Sequence, residues 1–353
     1  MKKMQEFVLK GKKIFVGLED SKRTWKVCVR SEGMVVDEAS MPARYNVLKG
    51  YFDNRFPECN IQLIYEAGFN GFWLHDLLEE DGIDCIVTPP NKVTIEKDNR
   101  VKTDKRDARR LAKNLENKYY VSWNVPSVKR REYRQLSRTL DQLNKVIKAT
   151  KNRIRKMLDY HHPVDDLKEG SWTDKDYFNL RNIELSEPLK ISLEIHLETL
   201  ELSLKNKERL EKALIALFKE EEYKESATIK QSVPGIGKLT AIRLTIELGD
   251  MKRFETGKNF ASYLGLTSSE YSTGETIKRG RITGQGPSNV RTWFIETSWR
   301  AIRKDPALLE KFQNVWRNTG SKKKAIVAVA RKLANRLWTL ETTGQTYLLG
   351  VIK

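Results

Sequence analysis

Cysteine is scarce in this chain: 353 residues contain three, Cys28, Cys59 and Cys85, with no C-x-x-C spacing among them. That argues against a zinc ribbon or a disulfide framework and for a reducing cytoplasm. Long apolar runs are lacking too. None approaches 18 residues, so no membrane span is expected, and the opening Met1-Lys-Lys-Met-Gln-Glu-Phe7 is too polar for a signal peptide. The G-x-x-x-x-G-K-[ST] pattern of a phosphate-binding loop is missing, so ATP is not implied. Negative charge is outweighed, with 47 acidic against 65 basic residues, a net charge of +18 and a pI near 9.6. Such basicity, without a membrane segment, points to nucleic acid.

The first 120 or so residues read as α/β. Ile14–Glu19, Trp25–Arg30, Val35-Val36, Ile61–Tyr65 and Ile83–Thr88 have the apolar runs or period-two alternation of strands. Tyr45–Phe56 and Gly71–Glu80 read as helices, and another opens near Asp104. The order β-β-β-α-β-α-β-α is that of an RNase H-like domain. From Ser127 to Glu225 two leucine stripes, one through Leu136, Leu140, Ile154 and Leu158 and one through Leu193, Leu197, Leu200 and Leu214, predict a helical hairpin or coiled coil, within the chain or between protomers. Lys129–Lys156 holds eleven basic residues and two acids, a composition suited to a nucleic-acid track. The third region begins near Ala227. Its Val233-Pro-Gly-Ile-Gly-Lys238 has the pattern of a helix-hairpin-helix turn, whose backbone amides can hold a phosphate. Domains are thus expected at 1–125, 126–225 and 226–353.

The most informative motif is Val101-Lys-Thr-Asp-Lys-Arg-Asp-Ala-Arg-Arg110. Asp104 and Asp107, three apart on a helix, share a face with Cβ atoms about 5–6 Å apart. Paired carboxylates among cations suit a divalent ion and a polyphosphate backbone. A plainer account has Thr103 capping the helix, Asp104 complementing its dipole and Asp107 pairing with Arg110. Glu19 and Glu66 end the first and fourth strands, which are neighbours in an RNase H-like sheet, so four carboxylates are expected to converge. Asp20 rivals Glu19, and strand alternation allows only one of them to face the site.

A second constellation, Gly265–Gly286, holds five glycines and seven Ser or Thr in 22 positions, with Lys278, Arg279 and Arg281 making it basic. It reads as a loop that presents Ser272, or its neighbour Thr273, to a phosphodiester. None of the four histidines lies nearby in sequence, so activation by a metal site fits better than a triad. The plainer account is a loop that grips phosphate without covalent chemistry.

These motifs together resemble, nearly end to end, the DEDD transposases of the insertion sequence one-ten group. The resemblance rests on Phe15-Val-Gly-Leu-Glu-Asp-Ser-Lys22, Tyr65-Glu-Ala-Gly68, Lys102-Thr-Asp-Lys-Arg-Asp-Ala108, Val233-Pro-Gly-Ile-Gly237, and Glu270-Tyr-Ser-Thr-Gly-Glu275 with Arg279-Gly-Arg-Ile-Thr283. It implies a RuvC-like N-terminal domain whose acidic tetrad falls on Glu19, Glu66, Asp104 and Asp107, with Mg²⁺ as one or two ions. It implies long helices and a mostly helical C-terminal domain carrying the serine nucleophile, Ser272. Most relatives carry Asp where this chain has Glu19, which reaches one methylene further. The implied partners are donor and target DNA, a structured bridge RNA that guides the reaction, and further protomers, as a homodimer assembling to a tetramer. The cations expected to grip nucleic acid are Lys102, Arg106, Arg130, Arg131, Arg134, Arg138, Lys238, Lys278, Arg279 and Arg281.

Overall fold

The computed structural model describes residues 9–90, 103–161, 172–271, 276 and 279–350. The chain divides into two units, Met1–Pro126 and Ser127–Lys353. The first is built on a five-stranded sheet of β1 (Lys13–Asp20), β2 (Thr24–Ser31), β3 (Met34–Pro42), β4 (Asn60–Glu66) and β5 (Asp84–Thr88), in the order β3-β2-β1-β4-β5. The β1–β2 and β2–β3 pairs are antiparallel, whereas β1–β4 and β4–β5 are parallel. Parallel neighbours need crossovers, supplied by helix α1 (Tyr45–Arg55) and helix α2 (Trp73–Glu80). Alternation divides β1 cleanly: Ile14, Val16 and Leu18, all fully buried, share a core with Leu48, Phe52, Leu74 and Leu78 of the crossover helices.

The other face of the sheet takes helix α3 (Asp104–Glu116). Ile64 and Ile86 cluster with Leu111 and Leu115, and Cys28 with Ala108 and Ala112. Each of those two leucines contributes about 2 kcal/mol by burial. Gly17, opposite Cys28 in the ladder, makes the close approach possible: a Cβ there would lie 2.1 Å from the Ala108 carbonyl oxygen and 2.4 Å from the Ala112 nitrogen. Ion pairs pin both ends of the helix. Glu38 on β3 pairs with Arg109 and, at 3.1 Å, with Lys105, while Glu116 accepts from Arg30 Nε and the Gly33 amide, each at 2.7 Å.

In the second unit, α4 (Val128–His161) lies against α6 (Glu187–Ala216), with α5 (Asp174–Arg181) between them in sequence. Leu140 near the start of α4 meets Leu214 near the end of α6, while Ile154 and Leu158 meet Leu193, Leu197 and Leu200, so the pair is antiparallel. The two leucine stripes therefore face each other within one chain. Helices α7 (Glu221–Ser232), α8 (Lys238–Leu248), α9 (Gly257–Tyr263), α10 (Ser288–Ala301), α11 (Pro306–Thr319) and α12 (Lys322–Thr343) follow, with a small antiparallel hairpin, β6 (Ser268–Glu270) and β7 (Arg279–Ile282), after α9. The inner face of α12, Ala325, Ile326, Val329, Ala330, Leu333 and Leu337, lies in the main core of this unit.

The long helices and the C-terminal helices, expected as separate regions 126–225 and 226–353, fall in a single unit. Contacts across that boundary account for it. Leu140, Leu214 and Leu217 share a cluster with Ala227, Ile242 and Ile246, and Arg243 on α8 donates to Ser137 Oγ on α4 at 2.9 Å while its guanidinium lies 4.2 Å from the Trp293 ring centroid. Lys230 is fully buried and pairs with Glu341 at 2.9 Å, tying α7 to α12. Among the described residues no helix is long and apolar enough to cross a membrane.

The closest backbone approach in the first unit yields a test. Gly17→Ala forces α3 off the sheet and is expected to cost about 1–3 kcal/mol or more. Urea unfolding would read the loss, and hydrogen exchange should place it on β1 and α3.

Candidate active site

The acidic residues are brought together by strand parity and by the seat of α3. Glu19 has the parity of Gly17 and Glu66 that of Ile64, so both point to the face that α3 covers. The parallel register pairs Leu18 with Tyr65, so Glu19 and Glu66 follow at the same level, one past that pair. Helix α3 begins over this edge. Thr103 caps it, its hydroxyl accepting from the Arg106 amide at 3.4 Å, and Asp104 and Asp107 occupy the first turn. Asp107 is buried, Glu19 and Glu66 are largely buried, and Asp104 is exposed.

Asp20 has the opposite parity and is 7 % exposed. Asn70 Nδ2 donates to its carboxylate at 3.0 Å and to its backbone oxygen at 2.7 Å, tying the segment after β4 to the end of β1. Of the two rivals, Glu19 shares the face of Glu66, and Asp20 serves the loop.

Electrostatics show how tightly the cluster is charged. Burial, then the carboxylates of Asp107, Glu66, Asp20 and Asp104, push Glu19 up to about 7. Burial pushes Asp20 up to about 6, against the hydrogen bond from Asn70. One guanidinium is seated in the cluster: Arg110 Nη2 lies 2.9 Å from Glu66 Oε1 and 3.0 Å from Asp107 Oδ1. The capped helix and the Asp107–Arg110 pair of the plainer account are thus both present, within a convergence of acids. All the donors are carboxylate oxygens, the ligand type of Mg²⁺ or Mn²⁺, and Glu19 is raised by burial first and by the neighbouring carboxylates second, so the donor chemistry fits a divalent cation. Among the described residues no three acidic, His or Cys side chains are gathered closely enough to hold one outright.

The expected nucleic-acid contacts divide. Arg130 and Arg134 turn inward: Arg130 Nε donates to the Ile246 carbonyl at 2.7 Å and Arg134 Nε to the same oxygen at 3.2 Å, with Glu247 taking further bonds. They satisfy the open carbonyls at the end of α8, a structural duty that corrects the expectation of strand-gripping side chains. Burial, then Arg134 and Arg253, push Arg130 down to about 10. Gly249, with φ +64°, makes room for it, since a Cβ there would fall 1.7 Å from Arg130 Nη1. Arg138 is exposed and reaches Glu247 at 3.4 Å, and Arg131 is half-buried. Arg106, Lys238 and Arg281 are exposed. In the turn between α7 and α8, Pro234 and Ile236 are buried while Gly237 and Lys238 face outward.

The Gly-rich stretch expected as a loop contains the β6–β7 hairpin, paired through Ser268 with Ile282 and Glu270 with Arg279. The strands form because Thr283 donates its amide to Thr267 at 2.8 Å at the base of the hairpin. Ser272 and Thr273, expected near its tip, and the cations Lys102 and Lys278 lie outside the described residues, as does the side chain of Arg279. Sequence reasoning missed Asn70 and the reach of Arg110 to Glu66. An i, i+3 pair with Asp107 is visible in the sequence, but a partner 44 positions away is not.

Two outcomes follow. In chelator-treated protein Glu19 keeps its proton to about pH 7 when folded but only to 4.5 when unfolded. The native state therefore binds more protons across that interval, and stability falls as pH rises through it. Asp20, moving from 3.8 to about 6, steepens the lower part, so Glu19→Gln should flatten chiefly the part above pH 6 in a series of thermal melts. Arg134→Ala is expected to cost about 1–3 kcal/mol by uncapping α8. It should leave the salt dependence of nucleic-acid binding nearly unchanged, whereas Lys238→Ala should lower the log–log slope by about one.

Known proteins resemble this chain in sequence. Residues 16–163 match the transposase model for the DEDD domain of IS110 elements, and residues 227–313 match the model described as Transposase IS116/IS110/IS902 family. The putative transposase y4rJ of Sinorhizobium fredii is 28% identical over 379 aligned residues, spanning 94% of this chain and 92% of its own. The transposase for insertion sequence element IS1533 of Leptospira borgpetersenii is 25% identical, over 70% of this chain and 73% of its own. The putative transposase y4qE of Sinorhizobium fredii is 29% identical over 68% of this chain, a match that spans 58% of that protein's length. With both regions matched in order and the acids gathered in the first, the chain belongs to the IS110 family of transposases.

Proposed function

We propose that this transposase cuts and rejoins DNA strands of an insertion sequence through an RNase H-like, RuvC-type acidic centre and a serine nucleophile, guided by a structured bridge RNA. The observation that carries the reading is the convergence of Glu19, Glu66, Asp104 and Asp107 on one edge of the sheet, with Glu19 pushed up to about 7 by burial and its neighbours. Those four residues would hold one or two Mg²⁺, which when bound supply Lewis-acid polarisation of a phosphate and a more acidic hydroxyl. The chain's own part is to orient that hydroxyl and the phosphate. The acids would activate Ser272 across a protomer interface in a dimer that assembles to a tetramer.

Ser272 Oγ bonds to phosphorus as the P–O3′ bond breaks, releasing a 3′-hydroxyl. Attack by a 3′-hydroxyl of another strand reverses the step and frees the serine. The phosphodiester energy is conserved, in keeping with the missing ATP-binding motif. Sequence choice is delegated to base pairing with the RNA, and the exposed cations hold backbones rather than read bases. The net charge of +18 supports such a role.

Asp107→Ala should abolish strand transfer while RNA binding persists. On denaturing gels, stalled wild-type reactions should carry a protein–DNA adduct that maps to Ser272 and disappears in Ser272→Ala. Cutting that survives Ser272→Ala would instead indicate a junction-resolving nuclease using water, and binding without any Mg²⁺-dependent cleavage would indicate a regulator.

A further inference from the structure

We propose that Arg110 is a stand-in for the divalent cation: its guanidinium holds Glu66 and Asp107 together in metal-free protein and must release them when metal and DNA arrive. The proposal rests on the four-acid metal reading above and adds to it a residue that sets when metal can bind. One terminal nitrogen spans both carboxylates, 2.9 Å from Glu66 Oε1 and 3.0 Å from Asp107 Oδ1, so a single positive group joins β4 and α3 at two of the acids that would hold a cation. All three side chains are at least four-fifths buried, at 19%, 20% and 11% exposure, so the contacts are little screened by water.

Two of its basic neighbours are engaged elsewhere. Lys105 and Arg109, on the same helix, are taken by Glu38. Arg110 itself is incompletely satisfied, because its Nε is buried with no hydrogen-bond partner. A guanidinium that lets go of the carboxylates can offer Nε and a terminal nitrogen together as a two-pronged donor, the geometry that fits a phosphate. The resting pose thus serves the acids and leaves a donor unmet, while the displaced pose can meet it on a DNA backbone.

The consequence is coupling. While Arg110 is in place, its charge opposes a divalent ion. A positive charge about 5 Å from a divalent ion, at an effective dielectric between those of a protein surface and water, weakens binding by more than about tenfold. DNA phosphate that draws Arg110 away removes that opposition, so metal should be held more firmly once DNA is present.

The test uses the full-length protein without DNA, with Mn²⁺ binding followed by the loss of the free-ion electron paramagnetic resonance signal. Arg110→Gln should bind Mn²⁺ more tightly than wild type by about tenfold or more, and Arg110→Lys, which keeps the charge but not the fork, should fall between them. Metal-free Arg110→Gln should also melt below metal-free wild type, and saturating Mn²⁺ should raise its Tm by more than it raises that of wild type. If Arg110→Gln proves unfolded, Arg110→Lys carries the comparison. Equal or weaker Mn²⁺ binding by the folded variant overturns the proposal and makes Arg110 a group that positions the ligands. A wild-type protein that binds no Mn²⁺, with Asp107→Asn and Glu19→Gln likewise indifferent, would overturn the four-acid reading itself, and this proposal with it.

Discussion

The first unit turns on one unfavourable contact, the crowding of carboxylates at the ends of β1 and β4. Left to themselves Glu19, Glu66 and Asp107 would repel one another, and the raised proton affinity of Glu19 reflects its burial first and those neighbouring carboxylates second. The restraint combines close packing with ion pairs. Gly17 lets the backbone of α3 rest on β1 at Ala108 and Ala112, Leu111 and Leu115 fill the space over β4 and β5, and Glu38 and Glu116 anchor the helix at either end. Packing and ion pairs some distance from the acids, together with the Arg110 bridge between Glu66 and Asp107, thus keep them in place.

Cations in this protein do unlike jobs, and location decides which. Arg243, Lys230, Arg130 and Arg134 are drawn inside the second unit. There their cost of desolvation is offset by Asp141, Glu341 and the carbonyls that end α8. These groups join the long helices to the C-terminal helices, so part of the basic composition is structural. Arg106, Arg138, Lys238 and Arg281 remain at the surface, where a polyanion can reach them. Net charge alone overstates the number of side chains available to nucleic acid.

Much of the architecture was legible beforehand because it is local. Short apolar runs and, in β2, period-two alternation marked the strands, the Thr103 cap and the i, i+3 acids marked the start of α3, and the leucine stripes marked the two long helices. Parity also placed Glu19 and Asp20 on opposite faces before any fold was known. The hairpin around β6 and β7 was read as a loop because its Ser, Thr and Gly content hides strands that are held by main-chain hydrogen bonds at their base.

What the sequence by itself determined, then, was the class of the fold, the periodic faces of its elements and the acids that end two strands and open a helix, all of which depend on neighbours within a few residues. Only the tertiary structure decided that Glu19 rather than Asp20 shares the face of Glu66, that the two leucine stripes meet each other within one chain, that Arg130 and Arg134 close α8, and that Arg110 reaches Glu66. Those pairings depend on which surfaces come to lie together, and the energy that brings them together is buried area summed over segments far apart in the chain, which no local pattern encodes.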